Sequence, residues 1–249
     1  MKARLLAGEP ALGCSVMIPS PQMVEMLAHA GFDWVLIDLE HGTIGLESAE
    51  LMVMAAEAAG ITPIARPRSH AGADIAAVLD RGAMGVQVPH VNTADDARAA
   101  VAAARFGPGD RRGLAAGTRP DGYGLGARMA EYVARANAEI LVCVQLEHRA
   151  ALQHVDEILA VEGVDVFFIG PSDLSQSMGH PGNAAAPEVA AAIGMLRERI
   201  LAAGKCLGMP AGAGEVAGAV AGGVRYIYTH LPRVLGAGAA AYLRASGRS

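Results

Sequence analysis

The chain has 249 residues, of which 52% are hydrophobic and only 4% aromatic, enough for a large aliphatic core in one or two domains. Its formal net charge of −5 leaves no basic footprint for nucleic acid, and no apolar run approaches the roughly 18 residues of a membrane span. Partners are therefore expected to be small molecules, with no nucleic acid and no membrane; the N-terminal MKARLLAGEPALG lacks a sustained apolar segment or cleavage site, so no signal peptide and a cytoplasmic location are expected.

From one end to the other, short apolar runs alternate with longer Ala-rich stretches that carry apolar residues at helical spacing. Strands are expected at 12–17, 34–38, 62–66 and 85–88, separated by helices at 22–29, 46–59 and 72–80 and followed by one at 93–103. A long irregular segment, 105–126, precedes a helix at 128–137. Strands at 141–146, 166–169, 206–209 and 226–229 then alternate with helices at 149–159, 187–203 and 214–222, and a closing helix is expected over 231–245. Gly31, Gly60, Gly82, Gly163, Gly204 and Gly222-Gly223 stand just before strands, as helix C-caps in tight connections do. Eight βα units point to one (β/α)8 TIM barrel spanning 1–249, with a doubly wound open sheet as the alternative.

Segment 105–126 is too long for a mere connector and carries Arg105, Arg111, Arg112 and Arg119. Because it comes after the fourth strand it is expected on the catalytic face, as a lid or subunit contact, against the alternative of a solvated loop. Its Gly122-Tyr123-Gly124-Leu125-Gly126 follows no strand and is a weak match to a nucleotide loop. Cys14, Cys143 and Cys206 sit in apolar runs and read as buried free thiols. Of the 20 Lys and Arg residues only Lys2 and Lys205 are lysines, and Lys205 precedes its strand, so Schiff-base chemistry has no residue to carry it.

Barrel chemistry gathers at the C-terminal ends of strands. There the second strand offers Asp38, Glu40 and His41, the third Arg66, the fourth Gln87 and His90, the fifth Gln145 and Glu147, and the sixth Ser172 and Asp173. Buried charge costs several kcal/mol unless paired, so such a polar rim argues for function. Glu147 and Asp173 end adjacent strands, where two carboxylates suit a divalent cation; the alternative is helix capping. His41 beside Asp38 reads as a general base with an orienting carboxylate, and Asp38 could instead pair with Arg66. His90, His148 and His154 read as rim or helix-surface residues, and Ser172 has no His-Asp pair to make it a nucleophile.

The segments FDWVLIDLEHG, ARP, VQVPHVNTADDAR, VCVQLEHRAAL and VEGVDVFFIGPSDLSQSMGHPGN together resemble the HpcH/HpaI aldolase family, metal-dependent pyruvate aldolases that include 4-hydroxy-2-oxoheptanedioate and 2-keto-3-deoxy sugar-acid aldolases. The resemblance runs over nearly the whole chain. It implies a (β/α)8 barrel that assembles as a homo-hexamer, a trimer of dimers, with the last helix, about 231–245, exchanged between subunits. It implies Glu147 and Asp173 as metal ligands for Mg2+, Mn2+ or Co2+, and His41 with Asp38 and Arg66 as catalytic groups. Gln145 falls beside the metal, and the Ser172-Asp173 turn where backbone N–H groups hold the pyruvate carboxylate. Where some members carry a Trp near the end of the first strand this chain reads GCSVMIP, and near the seventh it reads LGMPAGAG; both changes fall where an acceptor aldehyde would lie.

The reaction implied is reversible cleavage of a 4-hydroxy-2-oxo acid into an aldehyde and pyruvate, through an enolate stabilised by the metal and Arg66, with the His41 base taking the C4 hydroxyl proton. Two alternatives stand beside it: a lyase of acyl-CoA esters on the same barrel, for which only the Arg105 to Arg119 region hints at a nucleotide surface, and a non-catalytic small-molecule-binding protein.

Overall fold

Eight parallel strands close into a barrel in sequence order in the computed structural model, which describes residues 1–126 and 128–247. They are β1 (Ala11–Val16), β2 (Trp34–Asp38), β3 (Thr62–Arg66), β4 (Gly85–Val88), β5 (Leu141–Leu146), β6 (Val166–Ile169), β7 (Leu207–Pro210) and β8 (Val224–His230). β2 to β6 have the expected bounds, β1 and β7 shift by one residue, and β8 extends at both ends, from Val224 to His230. Parallel strands with both faces covered need near-continuous apolar runs, and residues of β2, β4, β5 and β6 are buried throughout.

Alternation sorts the side chains into two cores. Facing the helices, Val35, Ile37, Val86, Val142, Val144, Phe167 and Ile169 join one large cluster. Facing the barrel axis, Trp34, Leu36, Ile64, Cys143, Phe168, Tyr226 and Tyr228 form the other. The axial layer fits because glycines on β1 and β7 leave room for the rings. A Cβ on Gly13 would lie 2.3 Å from the Trp34 indole, and one on Gly208 would lie 2.8 Å from the Phe168 ring. Trp34 and Tyr226 fill that space with ring centroids 4.1 Å apart.

The helices on the outside are α1 (Lys2–Leu6), α2 (Pro21–His29), α3 (Leu46–Ala59), α4 (Gly72–Asp80), α5 (Ala94–Ala104), α6 (Met129–Glu139), α7 (Val155–Leu159), α8 (Pro171–Ser177), α9 (Pro187–Ala202), α10 (Val216–Ala221) and α11 (Leu231–Ala245). The short α1 has no counterpart in the sequence reading. The single helix expected over 149–159 is two pieces: a 3-10 turn, Arg149–Gln153, and α7, joined at His154, whose backbone is not helical. No helix among the described residues is long and apolar enough to cross a membrane.

Segment 105–126 lies at the opposite end from where it was expected. It follows β4 in the chain, but α5 intervenes and returns the chain to the N-terminal face of the barrel. There Arg119 pairs with Glu57, near the end of α3, and Arg112 reaches Asp80, the last residue of α4, at 3.3 Å. Arg112 is buried and stacks over the Phe106 ring at 4.3 Å. Within one chain this segment cannot cover the C-terminal mouth. The three cysteines are free, and burial pushes the Cys14 and Cys206 thiols up to about 12, as inert structural thiols require.

Candidate active site

One step above the aromatic layer, the same inward alternation delivers polar groups instead of apolar ones. Trp34 and Leu36 lead to Asp38, Ile64 to Arg66, Cys143 to Gln145 and Glu147, and Tyr228 to His230. Asp38, Arg66, Gln87, Gln145 and Glu147 are all buried there. Their burial is tolerable because each has a partner.

Asp38 and Arg66 occupy matched register positions on β2 and β3. The guanidinium grips both carboxylate oxygens, Nε at 3.0 Å from Oδ1 and Nη2 at 2.5 Å from Oδ2. Burial on its own lowers the Arg66 pKa, but the Asp38 pairing outweighs it and holds the guanidinium charged. Asp38 Oδ1 also accepts the backbone N–H groups of Glu40 at 3.1 Å and His41 at 3.2 Å. The sequence reading gave Asp38 the task of orienting the His41 imidazole. Geometry assigns it otherwise: Asp38 holds the His41 main chain, and the imidazole stands 3.6 Å from Glu40 instead.

Glu40, present at the end of the second strand but given no role by the sequence, is the meeting point. Its Oε2 lies 3.3 Å from Arg66 Nε, and its Oε1 lies 2.9 Å from His90 Nε2. His90 in turn touches Glu147: its backbone N–H donates to Oε1 at 2.7 Å, and its Nδ1 is 3.4 Å from the same oxygen. His90 does stand half-exposed on the rim, as expected, yet it is tied to both carboxylates. The only sequence signal for this was its place just past β4. His148 and His154 stay out of the cluster, one capping the Arg149–Gln153 turn and the other beside Glu157.

Below Glu147 runs a hydrogen-bond chain. The Tyr226 hydroxyl donates to Gln87 Oε1 at 3.0 Å, Gln87 Nε2 donates to Gln145 Oε1 at 2.6 Å, and Gln145 Nε2 donates to Glu147 Oε2. Because an ionised carboxylate only accepts, Gln145 turns Nε2 to Glu147 and Oε1 to Gln87, which fixes both amides with their donors toward Glu147. Gln145 is thus committed to Glu147.

Each Glu147 oxygen accepts one N–H and keeps a lone pair free. Burial is the main reason its carboxyl is raised to about 7, and the charge on nearby Asp173 adds to the rise. Asp173 and Ser172 sit in the first turn of α8, behind Gly170 and Pro171, where N–H groups have no intrahelical acceptor. Among the described residues no cluster of three or more His, Cys, Asp or Glu converges as a metal-binding set. The pair Glu147 and Asp173 is an oxygen-only donor set of two carboxylates, the chemistry that suits a hard cation keeping several waters, and a cation would offset both the burial and the Asp173 charge that raise Glu147.

Comparisons with known proteins identify the family and the fold. The sequence profile of the family described as HpcH/HpaI aldolase/citrate lyase matches residues 12–219. A hydroxypyruvate/pyruvate aldolase of Sagittula stellata is 42% identical over 192 residues, 77% of this chain and 75% of that protein. A 2-keto-3-deoxy-L-rhamnonate aldolase of Escherichia coli is 40% identical over 217 residues, 87% of this chain and 80% of its own. The crystal structure of an HpcH/HpaI aldolase/citrate lyase family protein from Burkholderia cenocepacia superposes with a TM-score of 0.91 at 32% identity, covering 98% of both chains.

Proposed function

Since this chain belongs to the HpcH/HpaI aldolase/citrate lyase family, we propose that it is a class II pyruvate aldolase, a carbon-carbon lyase that reversibly cleaves a 4-hydroxy-2-oxo acid into pyruvate and an aldehyde. The observation that carries the reading is the buried Glu147 carboxyl beside Asp173, across the barrel mouth from the Asp38–Arg66 pair and with no lysine at the rim. Glu147 and Asp173 would hold the divalent cation, Mg2+, Mn2+ or Co2+. That ion supplies Lewis-acid polarisation of the 2-oxo group when bound.

The chain's own groups do the rest. Arg66, locked in place by Asp38, presents a fixed positive charge to the oxygen on which enolate charge develops, and fixed dipoles and charges stabilise such charge without reorganising. His41, more exposed than its neighbours and anchored through its main chain, takes the proton of the C4 hydroxyl. The C3–C4 bond then breaks, its electrons become the C2–C3 double bond of the enolate, and the aldehyde leaves. The first-turn N–H groups of Ser172 and Asp173 are suited to the substrate carboxylate, and Gln145 contributes by holding Glu147.

The acyl-CoA alternative loses its one supporting feature: Arg105, Arg112 and Arg119 lie at the other end of the barrel, engaged with Asp165, Asp80 and Glu57. Assembly as a homo-oligomer, a hexamer with α11 exchanged, is part of the same proposal. It is supported by α11 itself, which buries none of its residues and exposes Val234, Leu235, Tyr242 and Leu243. A groove of about 450 Å³ runs beside it, lined by Leu12, Phe32, Val216 and Ile227 among others. Such apolar exposure is what subunit contact covers. A cytoplasmic location accompanies the reading.

The test is an aldol assay with pyruvate and a panel of acidic, sugar-like and small aldehydes. Addition products that require added Mg2+, Mn2+ or Co2+ and vanish with excess EDTA support the proposal. Products formed equally well in EDTA refute it.

A further inference from the structure

His90 is one of two described non-glycine residues with a positive φ, at +56°. A left-handed backbone is uncommon away from glycine and persists only where surrounding contacts impose it. The contacts here are identifiable. Pro89 is buried at the top of β4, and Val91 N–H donates to Gln145 O at 3.3 Å, so the chain is held on both sides of residue 90. The turn between them aims the His90 N–H at Glu147 Oε1, 2.7 Å away, and lays the imidazole across the mouth with Nδ1 3.4 Å from Glu147 and Nε2 2.9 Å from Glu40.

We propose that His90 is a positioning residue, whose imidazole bridges Glu147 to Glu40 and so fixes the direction in which Glu147 presents its free lone pair to the cation. The bridge has a second effect. Glu40 also faces Arg66 and His41, so His90 joins the carboxylate half of the site to the base half. This rests on Glu147 being a cation ligand, and the experiment separates the two ideas.

The probe is Mn2+ alone, titrated into the full-length protein and followed by electron paramagnetic resonance, with thermal unfolding in parallel. His90→Gly removes the imidazole, keeps the main-chain N–H and relaxes the positive φ, so its melting temperature should not fall. His90→Asn tolerates the left-handed backbone and retains a polar group near Glu147 but cannot reach Glu40. The inference predicts Mn2+ binding weakened about tenfold in His90→Gly, as loss of partners that orient metal ligands commonly causes, with His90→Asn between the two. Mn2+ bound equally tightly by the parent protein and His90→Gly overturns the role of His90 while leaving the metal site intact. A parent protein that binds no Mn2+, or whose binding survives Glu147→Gln, overturns the metal reading and this inference together.

Discussion

Arg66 holds Asp38 at two points, Nε to Oδ1 and Nη2 to Oδ2, from register positions that face each other on β2 and β3. With both side chains buried, this is a built platform for a positive charge. It divides the labour in the mouth, because the same Asp38 oxygen that binds Arg66 Nε also pins the main chain of Glu40 and His41.

Asp38→Ala should therefore damage the fold as well as the chemistry. Taking the bidentate partner from a buried guanidinium, with only Glu40 left beside it, costs up to about 3–5 kcal/mol, visible as a lower denaturant midpoint. His41→Ala, at a largely exposed side chain, should leave the midpoint unchanged and lower kcat by roughly 10²–10⁴-fold, the range of general-base loss, with little change in KM for pyruvate. An unchanged kcat in His41→Ala would remove it from the base role.

Glu40 lies between two imidazoles and Arg66, so Glu40→Gln keeps the shape and removes the charge. The expected result is a fall in kcat larger than the rise in KM for pyruvate. If Glu40→Gln keeps the parent's kcat, Glu40 does not act through the histidines or Arg66.

Gly170 is required by its neighbours rather than by its backbone. A Cβ there would lie 2.9 Å from both Cβ and Oε2 of Glu147 and 3.3 Å from Gln145 Nε2. Its φ of −96° is open to any residue. Gly170→Ala should push Glu147 out of line and weaken Mn2+ binding about tenfold, with a melting temperature close to that of the parent. Unaltered Mn2+ affinity would show that the carboxylate adapts freely.

The raised Glu147 carboxyl has a defined pH signature. Below about 7 it carries a proton in the metal-free protein, so a cation must displace that proton. Mn2+ added at pH 6 should release protons into a weakly buffered solution, and at pH 8.5 release fewer, with affinity falling as pH drops through 7. The sign for stability follows from a folded-state pKa above the unfolded one. The metal-free protein gains stability from this group at low pH and loses it as pH rises through about 7, and bound cation reverses the loss. Proton release independent of pH would contradict the assignment.

Much of this was legible in the sequence because the barrel is built from local signals. The VCVQL run, and the VDVFF run behind Gly163, carry enough pattern to delimit β5 and β6 to the residue. The polar strand ends announced Asp38, Arg66, Glu147 and Asp173. What stayed hidden depends on contacts across the barrel. His90 meets Glu147 over 57 positions of sequence, and Tyr226 reaches Gln87 over 139. No periodicity encodes such meetings. The misplacement of segment 105–126 has a simpler cause, since the helix expected at 93–103 already returns the chain to the N-terminal face before the segment begins.

The most direct test is exchange of the pyruvate methyl protons in D2O, followed by proton NMR, because it isolates enolate formation from the choice of aldehyde. The account predicts deuterium incorporation that depends on added divalent cation and is abolished by EDTA and by Glu147→Gln or Asp173→Asn. Exchange that proceeds undiminished in EDTA or in Glu147→Gln would contradict a cation-stabilised enolate at this site.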